Sequence, residues 1–386
     1  MAVAPHGPNK TNFAALTDEE LTVWSRDFWR VARNASFINQ FAGTGPNSMV
    51  QRITELTKNE KGARAVITLL ADMAEDGTTG DFDLEGNEES LRAYDTVIQL
   101  DQLRFANRLA GRMADQRSVV TFRETSRDML AYAMADRIDQ LAFLTLSGVS
   151  YAYKTNGAER STKATGQNLV DLEFHGDVTA PTDNRHLMIT GSTEPGDGSV
   201  GAGDPTALTV TDTIGYKHIV QLKAYAKDNY IRGLRGAGNQ EVYHMFVTPR
   251  QMATLKLDPD FLANVRMAGV RGPSNELFAG TTSLMVDGVM VHEFRHVFST
   301  EASTDGSWAV PGARALFCGA QALAMADIGL PNMVEKTFDY GNQHGIAIDK
   351  IFGFLKPVFH SDYQGDEEDF GVIALDTAYG SEYPTP

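Results

Sequence analysis

Between Gly80 and Leu146 the chain passes from acid to base to helix, and that order limits its fold more than any other stretch. The segment opens with Gly80-Asp-Phe-Asp-Leu-Glu-Gly-Asn-Glu-Glu89, continues through Arg104, Arg108, Arg112 and Arg117, and then reads as one long helix. Strand-like runs flank the acidic loop, Ala65–Leu70 before it and Tyr94–Leu100 after it. Two extended runs joined by a polar, glycine-bearing tip predict a long β-hairpin or projecting loop. Acidic side chains on such a projection limit unwanted edge pairing. Arg104, Arg108 and Arg112 recur every four residues, which predicts a basic stripe on a helix with Arg117 close behind. The bland reading of that stripe is a solvated face. The sharper one pairs it with the acidic loop of a neighbouring copy: Asp81, Asp83, Glu85, Glu88 and Glu89 on one side, the four arginines on the other. No catalytic constellation interrupts the series, so the layout suits a subunit that grips copies of itself.

The helix is expected over 118–147, with Leu130, Met134, Ile138, Leu141 and Leu144 as its apolar stripe and Gly148 as terminator. Upstream, residues 1–61 read as an arm. Within it Thr17 and Glu20 form a capping box, and Leu21, Trp24, Phe28 and Val31 share one helical face. Asn34-Ala-Ser36 matches a glycosylation sequon, read as coincidence without an export signal. Downstream, residues 151–209 are rich in Gly, Ser, Thr and Asp and read as an elaborated loop broken by a strand at His186–Thr190. A helix from Asp212 to about Asn229, a strand at Glu241–Val247 and a short helix after Pro249 follow. Asp287-Gly288 between two apolar runs is the best hairpin signal in the chain. Alternation returns at Ile346–Ile348 and Gly371–Leu375. The whole is α+β with extended appendages and no internal repeat.

At 386 residues the chain can bury a sizeable core in two or more packing units. Its net charge of −16 argues against a reader of nucleic acid, though not against a container for it. Cys318 is the only cysteine, in an apolar Ala-Leu-Phe-Cys run, and reads as a small buried thiol suited to a reducing compartment. The first residues lack the regions of a signal peptide, and no apolar run reaches the roughly 18 residues that span a bilayer.

Three motifs suggest chemistry and fail on their details. His292-Glu293-Phe-Arg-His296 matches the zinc-peptidase pattern, in which both histidines must share one helical face and the glutamate acts as base. Here the motif continues a strand, where residues four apart stand about 13 Å from each other. A zinc-dependent hydrolase using His292, Glu293 and His296 is therefore the weaker alternative. Asp81, Asp83, Glu85 and Gly86 begin like a calcium loop, but Arg92 takes the place of the closing glutamate. A calcium-stabilised decoration protein is the second alternative. Gly233-Leu-Arg-Gly-Ala-Gly238 lacks the Lys-Ser/Thr end of a phosphate loop and reads as a turn. No catalytic residue, metal or cofactor is assigned.

Several blocks resemble the major capsid proteins of N4-like tailed phages. They are the acidic run 80–91, Ile98–Arg104, Gly111–Arg117, Asp136–Leu141, Phe246–Gln251, Asn275–Gly280, Asp287–Glu293 and Asp369–Ile373, in fixed order from about residue 60 to 377. The resemblance implies an HK97-like fold: an N-terminal arm at 1–61, an extended loop at 62–104, and a peripheral domain at 105–210 with spine helix 118–147. An axial domain at 211–330 and a return to the peripheral domain at 331–386 complete it. It further implies a non-enzyme that builds hexamers and pentamers into an icosahedral shell around phage double-stranded DNA, assembled in the bacterial cytoplasm. A cement or decoration protein, a scaffold and a portal are the further partners such a family admits. Some capsids of this fold are welded by lysine–asparagine bonds. Residues 62–104 carry Arg64, Arg92 and Arg104 but no lysine, so non-covalent locking is expected.

Overall fold

The computed structural model describes residues 36–53, 64–70, 77–80, 82–83, 85, 88, 93–117, 122–161, 168–236, 240–268, 283–301, 308–360 and 367–380. In chain order these give β1 (Ala42–Gly43), β2 (Val50–Ile53), β3 (Arg64–Leu70), β4 (Ala93–Gln99), β5 (Asp101–Arg108), α1 (Arg112–Arg117) and α2 (Phe122–Ser147). Next come β6 (His186–Thr190), β7 (Ser199–Ala202), α3 (Tyr216–Asp228), β8 (Leu234–Arg235), β9 (Glu241–Val247), α4 (Pro249–Leu257) and α5 (Pro259–Ala268). The chain closes with β10 (Ser283–Val286), β11 (Val289–Glu293), β12 (Gly312–Cys318), β13 (Leu323–Phe338), β14 (Gln343–Leu355), β15 (Val358–His360), β16 (Glu367–Asp369) and β17 (Val372–Ala378).

Helix α2 organises the larger core. Its expected stripe, Leu130, Met134, Ile138, Leu141 and Leu144, is buried, and it ends at Gly148 as expected. From Leu141 to Ser147 every residue is buried, so this half is enclosed on all sides, whereas Met129 and Tyr132 in the other half are exposed. Against it lies a five-stranded sheet in the order β1-β2-β13-β14-β5. The long β13–β14 pair shifts register between Ile328 and Asn332, where Pro331, lacking an N–H, can be accommodated. Beneath that shift the buried Lys350 ammonium pairs with Asp327, which also pairs with Arg52, and donates to the Gly329 carbonyl at 2.9 Å.

The second core lies under an eight-stranded sheet, β10-β11-β9-β12-β17-β6-β7 with β8 paired to β9, and includes apolar residues of α3, α4 and α5. Asp287 and Gly288 turn β10 into β11 with positive φ at both positions, as the sequence signal requires. Its strands come from 186–202, 234–318 and 372–378, so linear boundaries at 210/211 and 330/331 cut across this one sheet.

Strands β3 and β4 form a separate two-stranded ribbon, paired from Arg64↔Gln99 to Leu70↔Ala93. The expected long hairpin is therefore present. The segment holding Arg104 and Arg108 is strand β5, not the expected helix. The two arginines share a face but stand about 13 Å apart along the strand.

Candidate inter-subunit surface

The hairpin is attached to the body at its root. Ala65 and Ile98 are buried with Leu100, Ala324, Ala326 and Leu355, and the Asp177 carboxylate accepts from the Gln99 backbone N–H at 3.0 Å and side-chain amide at 3.3 Å. Val66 and Val97, which pair across the ribbon, are 55% and 39% exposed. At the tip, Gly77, Gly80, Phe82, Asp83, Glu85 and Glu88 are exposed, and Phe82 is an aromatic ring 78% open to solvent. Asp81 and Glu89 lie outside the described residues, as does most of the segment with the calcium-loop spacing.

The arginine side is divided among three elements. Arg104 and Arg108 are exposed on β5, an edge strand of the five-stranded sheet, where Arg104 stands opposite Asp349 of β14. Arg108 lies over the Phe338 ring at 4.3 Å and donates to the Gln343 side chain, so its own β13–β14 turn already holds it. Arg112 is exposed at the start of α1, and Arg117 ends that helix, its side chain outside the described set.

His292 and His296 do not converge. His292 ends up on β11, as the strand reading required, and shares a hydrogen bond with His244 of β9, Nε2 to Nδ1 at 3.0 Å. Phe37, Phe41 and Phe246 surround the pair. Burial, reinforced by the neighbouring imidazole, pushes His292 down to about 4, and burial also lowers His244. His296 turns instead toward α2 and meets the Asp136 carboxylate at 2.7 Å; burial lowers its pKa despite that partner. Among the described residues no group of three or more His, Cys, Asp or Glu is placed to hold a metal ion.

Sequence reasoning missed Asp139. This buried carboxylate on α2 accepts from the Ser36 hydroxyl at 2.7 Å, the Phe37 N–H at 2.8 Å and the Ile38 N–H at 3.1 Å. It thereby satisfies donors at the start of the 3-10 turn Ile38–Phe41. Burial raises its pKa and the three hydrogen bonds partly offset that rise. The available signal was an acid between Ile138 and Leu141 on an apolar helix, since a charge in such a place needs a partner.

A family model described as phage capsid protein matches residues 12–380. The chain belongs to the phage capsid protein family. It is 58% identical over 371 residues to the major capsid protein of Pseudomonas phage KPP25, covering 95% of this chain and 96% of that one. Its fold matches the capsid of Ralstonia phage GP4 with a TM-score of 0.71 and 25% identity, over 100% of this chain and 99% of that one. The cyanophage Pam1 capsid gives a TM-score of 0.68 at 16% identity, over 99% of both chains. The fold is HK97-like and the relatives are structural proteins, so the hydrolase and decoration readings fall away. The capsid chain is a virion component, and none of its described helices is long and apolar enough to cross a membrane.

Proposed function

We propose that copies of this tailed-phage major capsid protein pack as hexamers and pentamers into the icosahedral shell that encloses the double-stranded DNA genome. Assembly takes place in the bacterial cytoplasm, with a scaffold, a portal and a cement protein as further partners. Residues 62–104 serve as the extended loop that reaches a neighbour. The α2 core with the five-stranded sheet makes the peripheral domain, and the eight-stranded sheet with α3–α5 makes the axial one. That assignment keeps 211–330 as the centre of the axial domain and adds β6, β7 and β17 to it.

One observation carries the contact: the hairpin is rooted in a small core but presents exposed valines, an exposed Phe82 and exposed acids beyond it. A two-stranded ribbon is marginal on its own in water, so a neighbour's surface is the natural cover. The acidic tip, with Asp81 and Glu89 included, meets Arg104, Arg112 and Arg117 of that neighbour; Arg108 contributes the edge of its Phe338-stacked guanidinium. Such a charge pairing sets register and partner choice more than affinity. The protein's own acidity, −16 overall, keeps the shell from gripping its DNA.

The test is electron microscopy of the purified chain beside its size-exclusion profile. Capsomers, tubes or closed shells are expected. Glu88→Lys and Arg104→Glu should each reduce assembly, and combining them should restore part of it. A compact monomer that stays monomeric with its scaffold supplied would overturn the proposal.

A further inference from the structure

The hairpin leaves the body at a joint of one residue. β4 ends at Gln99 and β5 begins at Asp101, so the chain passes from the two-stranded ribbon into the five-stranded sheet across Leu100 alone. Such a joint fixes where the ribbon starts but not where it points, because a few dihedrals can swing it as a unit. Burial of Ala65 and Ile98 holds the root down, yet hydrophobic burial is non-directional. Direction has to come from hydrogen bonds.

The 3-10 turn Glu173–Asp177 supplies them at both ends. Its last residue, Asp177, accepts from the Gln99 backbone N–H at 3.0 Å and from the Gln99 side-chain amide at 3.3 Å. Its first residue, Glu173, donates its N–H to the Asp101 carboxylate at 3.0 Å. One turn thus holds the residues on the two sides of the joint. Arg64, opposite Gln99 on β3, attracts the same Asp177 carboxylate. The turn is itself anchored: Phe174 is fully buried, its ring against Tyr151, Phe352 and Phe354 at centroid distances of 5.9, 5.5 and 6.3 Å. Between those two phenylalanines of β14 lies Gly353, pressed against the Gln99 carbonyl with no room for a Cβ. Gln99 is therefore gripped from two sides, by β14 and by the turn.

We propose, resting on the hairpin contact put forward above, that Asp177 is a positioning residue for assembly: with Asp101 it clasps the joint and sets the angle at which the hairpin meets a neighbouring copy. A repeated head-to-tail contact closes only when every copy makes it at the same rotation. A swinging hairpin would also lose freedom on contact, and that ordering cost weakens each contact. The clasp settles the direction within the subunit, before a neighbour arrives.

Asp177→Ala beside Asp177→Asn tests this in two steps on the full-length chain. Before assembly, the alanine variant should melt close to the parent, since Asp177 is only half-buried. Amide exchange in β3 and β4 should nonetheless rise about ten-fold while α2 between Leu130 and Ser147 stays protected. Asparagine keeps one acceptor oxygen for the Gln99 N–H and should recover most of that protection. Unchanged exchange in the hairpin, or an equal rise in α2, would overturn the proposal. In assembly, electron microscopy should show a broader spread of particle diameters for the alanine variant, which asparagine narrows. Shells of parental yield and uniform diameter from a chain with a loosened hairpin would overturn the clasp's role, provided Glu88→Lys still reduces assembly. If Glu88→Lys also assembles normally, the hairpin contact itself is wrong and the clasp's role falls with it.

Discussion

Helix α2 and the β3–β4 hairpin are neighbours in sequence and opposites in what holds them. The helix has apolar residues buried along its length and a second half enclosed on every side. The hairpin contributes Ala65 and Ile98 to a small cluster and turns Val66 and Val97 outward. One element is stabilised by its own chain, and the other leaves two facing valines open to solvent. On the proposed reading a shell subunit uses both: a body that exists before assembly, and a projection that a neighbour covers. The difference is open to attack from either side.

The largest effect should come from the body. Leu141→Ala removes a fully buried side chain from α2 and should cost about 3–4 kcal/mol in urea unfolding of the unassembled chain. A loss below about 1 kcal/mol would mean that the helix also borrows its stability.

Acid should act on the body next. His292 is held near 4 in the folded chain, below the usual imidazole value of 6.5, so the unfolded chain takes up its proton first as pH falls. Stability is complete above about pH 6.5 and should drop by about 2–3 kcal/mol on the way to pH 4, with His244 adding in the same direction. Asp139 works oppositely: its raised pKa means that protonation in the acidic range favours the folded state. Unfolding followed from pH 7 to 4 should show the net fall, and His292→Phe should flatten it. A parent curve already flat over that range would remove the imidazole pair as the cause.

At the junction of the two regions, Gly353 of β14 passes under the hairpin root. A Cβ there would stand 2.1 Å from the Gln99 carbonyl oxygen, a backbone atom that cannot swing away. Gly353→Ala should cost about 1–3 kcal/mol. Its signature is regional: amide exchange should rise in β3 and β4 while α2 between Leu130 and Ser147 stays protected. Equal loosening of both would show that hairpin and body are one cooperative unit.

How much could be read in advance follows the same division. The hairpin strands, the end of α2, β9 and the Asp287-Gly288 turn were legible because each is announced by local alternation, helical spacing or turn chemistry. The arginine stripe was misread because a spacing of four satisfies a helical face and a strand face alike. Leu103 and Phe105 alternating with Gln102, Arg104 and Ala106 carried the deciding period of two. The full lengths of β13 and β14 and the Asp139 anchor were not legible, since they depend on residues far apart in the chain. Asp139 and Ser36 are 103 positions from each other, and no local pattern in either predicts the pair.

The smallest effect on the isolated chain should attend the hairpin's outer face, and it makes the sharpest use of the contrast. Val66 and Val97 face each other across the ribbon and are both open to solvent, so Val66→Ser with Val97→Ser removes little buried surface. Unfolding of the unassembled double variant should differ from the parent by less than about 0.5 kcal/mol, as for ordinary surface changes. In a shell the same side chains would be covered many times over. A deficit of about 1 kcal/mol at each copy of a contact shifts its equilibrium about five-fold, and a closed particle multiplies that deficit over every subunit. Particle yield by sedimentation should therefore collapse in a variant whose monomer melts normally. Normal yield would show that these valines are not the covered face, and would leave Phe82 and the acidic tip to make the contact alone.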